Sequence, residues 1–179
     1  MGEFRPRQSE KGFTLLETMI AIVVLAVGIL GLAAMLGDAF TYMRSAQEDF
    51  IAQQKAEEAL EAIFTAKYDN TIGFAQIANT SSVPPGIFLA GAQPILQPGV
   101  DGLVGTLADA GAPAAYVLDP GPDGMLGTAD DVKISLVAFT RTITITNVEP
   151  NLKQVDVEID YTAGRFNRKY DVKSFVSAF

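Results

Sequence analysis

Residues 12–17 of this chain read GFTLLE, and they open a long apolar stretch with no charged residue from Met19 to Gly37. A helix from Phe13 to Leu36 has 24 residues, which gives a length of about 36 Å and is enough to cross the hydrocarbon core of a bilayer. Glu17 lies just inside this segment. Because a charge at a bilayer centre costs ~3 kcal/mol even on lenient insertion scales, Glu17 requires a specific role.

Residues 1–12 form a polar leader with a net charge of +1, from three basic and two acidic residues. A basic flank stays in the cytoplasm, so the leader is expected inside and the rest of the chain is expected to cross outward. Three general explanations compete for such a start. A cleaved secretory signal has a shorter apolar core, a plain membrane anchor gives Glu17 no role, and a buried soluble helix explains neither the length nor the leader.

The composition narrows the function classes. The 179 residues suffice for one domain plus an appendage, and the net charge of −8 argues against binding nucleic acid through its phosphates. Without histidine or cysteine, the chain lacks the usual zinc ligands, a thiol nucleophile and the commonest general base. No constellation of the remaining residue types suggests catalysis, so we do not expect an enzyme.

The GFTLLE stretch after a basic leader resembles the type IV prepilin class III signal. The resemblance implies that a prepilin peptidase cleaves between Gly12 and Phe13 and methylates the new amino group of Phe13. The continuation VLAVGILGLA at residues 24–33 looks most like the minor pilin family called PilV. Type II secretion minor pseudopilins share the signal but match this second stretch less well. The resemblance covers about the first forty residues.

The resemblance also implies an α+β, type IV pilin-like fold, in which a long N-terminal helix packs on a C-terminal antiparallel sheet. It gives Glu17 a partner, the Phe13 amine of a neighbouring subunit in a filament of staggered parallel helices. A paired charge is tolerable in low dielectric where a lone one is costly, so the pair would select the axial register. The alternative is an interfacial Glu17 that reaches back to headgroup water.

The helix is expected to continue beyond the membrane through residues 38–67, because no proline occurs between Arg7 and Val83 and the segment is rich in good helix formers. Apolar residues recur along it at helical spacing: Phe40, Met43, Phe50, Leu60, Ile63 and Phe64. This segment is either a free amphipathic stalk or, as we expect, packs its last turns on the following domain.

Residues 68–132 are rich in Gly, Pro, Asn and Asp, which predicts surface turns and loops rather than a packed core. Two segments within them, residues 98–109 and 120–131, agree at seven of twelve positions. Turn chemistry is one explanation of this repeat. The other is a calcium site in the second copy, because calcium prefers hard oxygen ligands. Its candidate ligands are Asp119, Asp123, Asp130 and Asp131.

Residues 133–179 alternate between apolar and polar side chains, with turns at residues 147–151 and 162–165. This pattern predicts an antiparallel meander of at least three strands with one apolar and one charged face. The apolar face is expected to bury Leu60, Ile63 and Phe64 of the helix.

Together these features favour a minor type IV pilin, PilV-like, that takes part in pilus assembly. The implied partners are prepilin peptidase, other pilins, the assembly machinery and inner-membrane lipid. The chain would cross the inner membrane once, with its C-terminal domain outside the cytoplasm, and then enter the pilus. The alternatives are a type II secretion minor pseudopilin and a single-pass membrane protein with a calcium-binding domain.

Overall fold

The computed structural model of the chain describes residues 12–179. The predicted leader therefore lies outside the described residues, except for Gly12. The chain divides into two compact units, Met1–Tyr42 and Met43–Phe179. The second unit is called the headgroup below.

One helix, α1, runs from Leu15 to Tyr68 and has 54 residues. It is uninterrupted because it contains no proline and because its second half is dominated by Ala, Glu, Gln and Lys, which lose little entropy in a helix. In the first unit, every described residue is exposed.

The headgroup part of α1 buries a stripe of mostly small side chains, which belong to the same hydrophobic core as the apolar face of the sheet. The buried residues are Ser45, Ile51, Ala52, Ala56, Ala59, Leu60, Ile63 and Ala66. Leu60 and Ile63 are thus buried as expected, but Phe64 is 36% exposed, so the expectation for Phe64 was wrong. Met43 and Phe50 are also exposed, because the small residues occupy the face that meets the sheet.

Six strands follow α1 along the chain. They are β1 (Gln93–Pro94), β2 (Tyr116–Asp119), β3 (Val132–Ser135), β4 (Thr140–Glu149), β5 (Leu152–Ala163) and β6 (Phe166–Ser177). Four of them form an antiparallel sheet in the order β1-β4-β5-β6. The predicted α+β, type IV pilin-like fold is confirmed.

Strand β5 shows the alternation that the sequence predicts. Val155, Val157 and Ile159 face the core, and Asp156, Glu158 and Asp160 lie between them on the other face. The acidic side chains form exposed ion pairs with Lys169 and Lys173 of β6. Exposed pairs of this kind contribute at most about 1 kcal/mol each, so the apolar face supplies most of the sheet's stability.

Residues 133–135, which the sequence pattern assigns to the C-terminal sheet, instead form strand β3 together with Val132 and pair with residues 116–119 as a separate two-stranded hairpin, β2-β3. The reason is the segment between β3 and β4, where Leu136 is buried and its carbonyl accepts a hydrogen bond from the Phe139 N–H, so the chain turns there.

The middle region contradicts the prediction of surface loops, because it supplies a large part of the core. Phe88, Ile95, Leu103 and Val104 are each at most 2% exposed. Buried backbone polar groups need partners, and the side chain of the buried Asn79, in this loop, satisfies two such groups of β4. Its Oδ1 accepts from the Ile145 N–H at 2.8 Å, and its Nδ2 donates to the Ile143 carbonyl at 2.7 Å. Asn79 therefore joins the loop to β4 through two hydrogen bonds.

Candidate functional site

The residues of the predicted signal lie at the start of α1. Gly12, Phe13 and Thr14 precede the helix, which begins at Leu15, and the Phe13 side chain is 82% exposed. Glu17 is in the first turn and is also exposed. Peptidase cleavage after Gly12, methylation of Phe13 and intersubunit pairing of Glu17 all involve a second protein, and each stays a prediction.

Thr14 is a functional neighbour that the sequence reasoning missed. Its Oγ1 accepts a hydrogen bond from the Glu17 N–H at 3.3 Å, and its carbonyl accepts from the Thr18 N–H at 3.2 Å. Thr14 therefore caps α1, with Glu17 at the third helical position, where a negative charge also interacts favourably with the helix dipole. The sequence carries a signal for this cap, since a threonine followed three residues later by a glutamate is the pattern of a capping box, of which the structure shows the hydrogen bond to the threonine.

The surface beyond this turn is almost entirely apolar. Among residues 12–179, α1 is the only helix that is long and apolar enough to cross a membrane, and its qualifying segment is not buried in the structure. Apolar surface on this scale is not stable in water, and it marks contact with lipid or with another protein. The segment is thus compatible with membrane anchoring followed by packing in a pilus.

The family model described as the prokaryotic N-terminal methylation motif matches residues 7–33. The match supports a type IV pilin-like prepilin. Processing by prepilin peptidase and use of the pilus assembly machinery follow from the motif in general terms. No curated protein and no solved structure matches the chain.

Each candidate calcium ligand already accepts a hydrogen bond; the donor lies in the same loop for Asp123, Asp130 and Asp131, and for Asp119 it is Gln47 of α1. Asp119 accepts from the Gln47 side chain, Asp123 from the Met125 N–H and Asp131 from the Gly127 N–H. Asp130 accepts from the Thr128 hydroxyl, which lowers the pKa of Asp130. Within the described residues, no three acidic side chains are grouped so that they could hold a metal ion. These contacts favour the explanation by turn chemistry, and calcium binding stays a prediction.

A further polar cluster fastens α1 to the sheet. The Tyr161 hydroxyl of β5 donates to Asp49 Oδ1 at 2.8 Å, and Arg168 of β6 forms an ion pair with the same carboxylate. Burial and the hydrogen bond to Asp49 raise the pKa of Tyr161 to about 12. Composition does not indicate this cluster, because Asp49 lies more than a hundred residues before Tyr161 and Arg168 along the chain.

Arg141 of β4 is a second charged residue inside the headgroup, and it is only 2% exposed. Burial lowers the pKa of its guanidinium, while the charges of Asp109 and Glu58 oppose that shift. Two carboxylates on separate segments, the 98–109 loop and α1, therefore compensate a buried cation on the sheet.

Proposed function

We propose that the chain is a minor type IV pilin of the PilV kind, a structural subunit that is held in the inner membrane and then built into a pilus or its priming complex. The observation that carries the proposal is the coincidence of the methylation motif at residues 7–33 with an exposed apolar helix that starts at its cleavage signal. Structural subunits of a filament need both features, since lipid must cover the helix before assembly and neighbouring helices must cover it afterwards.

Glu17 and Phe13 are proposed to set the register. After cleavage, the Phe13 amine of one subunit and the Glu17 carboxylate of its neighbour would lie together in a low-dielectric bundle. Leaving one partner of such a pair alone costs about 3–5 kcal/mol, so an incorrectly staggered subunit is strongly disfavoured.

The capping bond gives this proposal a sharp test. Glu17→Gln removes the charge but keeps a side chain that suits the third helical position, whereas Thr14→Ala removes the cap and keeps the charge. We expect Glu17→Gln to lower incorporation into sheared pili by more than about a hundredfold, and Thr14→Ala to have a small effect. Immunoblots of the pilus and membrane fractions measure both. Normal incorporation of Glu17→Gln would contradict the pairing.

The type II secretion pseudopilin is the second candidate, because the same motif supports a pilin or a pseudopilin. Deleting the gene separates the two. We expect a loss of surface pili with secretion intact. A loss of protein secretion with pili intact would instead assign the chain to the secretion system.

A further inference from the structure

The two Gly/Asp segments found in the sequence, residues 98–109 (loop 1) and 120–131 (loop 2), have the same backbone geometry. In each loop a glycine with a φ of +68°, Gly102 or Gly124, donates its N–H to the carbonyl of the residue three positions earlier, at 3.1 and 2.9 Å. This left-handed conformation favours glycine. The repeat in sequence is therefore a repeat in structure.

The carboxylates of the two loops also make equivalent hydrogen bonds. In each loop the first aspartate accepts from the N–H two residues later, and the last aspartate accepts from the N–H four residues earlier. The bonds are Leu103 N–H to Asp101 (3.1 Å), Met125 N–H to Asp123 (2.8 Å), Gly105 N–H to Asp109 (2.6 Å) and Gly127 N–H to Asp131 (2.7 Å).

The two loops differ in what covers them. The apolar pair that follows the first turn, Leu103 and Val104, is 1% and 2% exposed in loop 1. The equivalent pair in loop 2, Met125 and Leu126, is 64% and 63% exposed. The same loop conformation thus places two adjacent large apolar side chains in the core of the headgroup in loop 1 and in solvent in loop 2.

The contacts of loop 1 indicate what kind of segment can pack against this loop conformation. An extended segment lies against it, in which the Leu89 N–H donates to the Gly105 carbonyl at 2.8 Å and Phe88 forms an antiparallel bridge with Thr106. The Ile143 side chain of β4 lies close to Gly105. In loop 2 the carbonyl equivalent to that of Gly105 belongs to Gly127. It accepts no hydrogen bond from any residue between 12 and 179.

The surroundings of loop 2 extend the apolar surface and give it a charge. Leu118 and Val132, at the adjoining ends of β2 and β3, are exposed, and a cavity of about 510 Å³ is lined by Leu118, Leu126 and the Lys55 side chain. Residues 118–133 contain four aspartates and one basic residue, Lys133, and the Lys55 charge is paired with Glu58, so this surface carries a net negative charge. A partner that docks here must therefore offer apolar groups within a basic rim.

We propose that loop 2 is a docking site for an extended, aliphatic segment with flanking lysine or arginine residues on a different protein. A second copy of this chain is a poor occupant, because its net charge is −8 and its own Phe88–Leu89 segment is already covered by loop 1. If the chain is a pilus subunit as proposed, the partner is another subunit or an assembly protein of the pilus. Only this identity of the partner rests on the proposed function.

Photo-crosslinking of the full chain in the cells that produce it tests the proposal. Benzoylphenylalanine replaces Val132 within the docking surface, and a matched chain carries it at Val83, which is exposed elsewhere. The double variant Met125→Ser/Leu126→Ser is combined with the Val132 probe. Both side chains are exposed, so the melting temperature is expected to be unchanged.

We expect an adduct with a different protein from position 132 but not from position 83, joined through an aliphatic peptide flanked by basic residues. The double variant is expected to lower its yield about tenfold. An adduct with a second copy of the chain, with lipid, or through an acidic peptide overturns the proposal. So does an adduct yield at position 132 that is no greater than at position 83, or that the double variant leaves unchanged. Methylation of Phe13, measured in the same samples, reports separately on the proposed function.

Discussion

Replacing Asp109 by alanine is expected to destabilise the headgroup strongly, although the residue lies in a loop. The Asp109 carboxylate is 5% exposed and accepts three backbone hydrogen bonds, from the N–H groups of Gly99 (2.8 Å), Gly105 (2.6 Å) and Thr106 (3.2 Å). Its charge also compensates the buried Arg141. Alanine removes all of these interactions and leaves buried donors without a partner.

The cost follows from these contacts. A hydrogen bond to a charged group contributes about 1.5–3 kcal/mol, and partial relaxation and water entry reduce the sum of three. We expect Asp109→Ala to lower the free energy of unfolding by about 4 kcal/mol and the melting temperature by roughly 10 °C. An Asp109→Asn variant keeps one carbonyl acceptor and is expected to lose less.

The structural repeat supplies a matched control at the equivalent position of loop 2. Asp131 accepts one backbone hydrogen bond, from Gly127 N–H, and its Oδ1 is buried without a partner among the described residues. Asp131→Ala is therefore expected to cost about 1.5 kcal/mol, less than half the loss at Asp109. Denaturation of the full chain in detergent micelles, followed by near-ultraviolet circular dichroism of its tyrosines, compares the two. Equal losses would refute the argument that the three buried bonds of Asp109 stabilise the headgroup.

Two further predictions concern contacts that hold the headgroup together. The pKa of Tyr161 is raised to about 12 in the folded protein, from about 10 when unfolded, so its contribution to the free energy of unfolding is complete below pH 10 and is lost as the pH rises towards 12. Tyr161→Phe should remove about 2 kcal/mol of stability and also this alkaline loss. Denaturation midpoints of both proteins at pH 8 and pH 11 test this, and an equal loss of stability in the two proteins would contradict the reasoning. Lys153→Met should cost about 2 kcal/mol, because the Lys153 ammonium donates to the half-buried carbonyl of Phe74 and to the buried carbonyl of Ile77, each at 2.8 Å. The matched Lys169→Met variant, at an exposed ion pair, should cost much less in the same assay. Equal losses would contradict the role assigned to the two Lys153 hydrogen bonds.

The elements with a strong repeat in the sequence were predictable. The continuous helix follows from the absence of proline and from its helix-forming residues, and the core face of β5 follows from its alternation of apolar and acidic residues. In both cases neighbouring residues carry the signal, so no long-range information is needed.

The burial of the middle region was not predictable in this way. Phe88, Ile95 and Leu103 show no helical or strand period, and they are buried because the loop folds back over β4. The bond that fixes it joins Asn79 to Ile145, which are 66 residues apart. For the same reason sequence could reveal that loops 1 and 2 repeat each other, but not that only loop 1 is covered.

At the candidate site, the GFTLLE stretch and its resemblance to a prepilin signal could be recognised from the sequence. The methylation motif that matches residues 7–33 supports this at the level of a pilin-like prepilin. The capping role of Thr14 was not predicted, because the apolar run after Glu17 pointed to a role for this acidic residue in the membrane or the filament. The structure adds that Glu17 has a local role at the start of α1 besides any intersubunit role.

The most direct test of the central proposal is the mass of the N-terminal peptide of the mature protein, purified from membranes and from pili. If the chain is a processed type IV pilin-like prepilin, the mature protein begins at Phe13, and its first peptide is heavier than the unmodified sequence from residue 13 by one CH2, because a methyl group replaces a hydrogen of the amine. A mature protein that retains Met1, or that begins at an unmethylated residue elsewhere in the apolar stretch, would contradict this account.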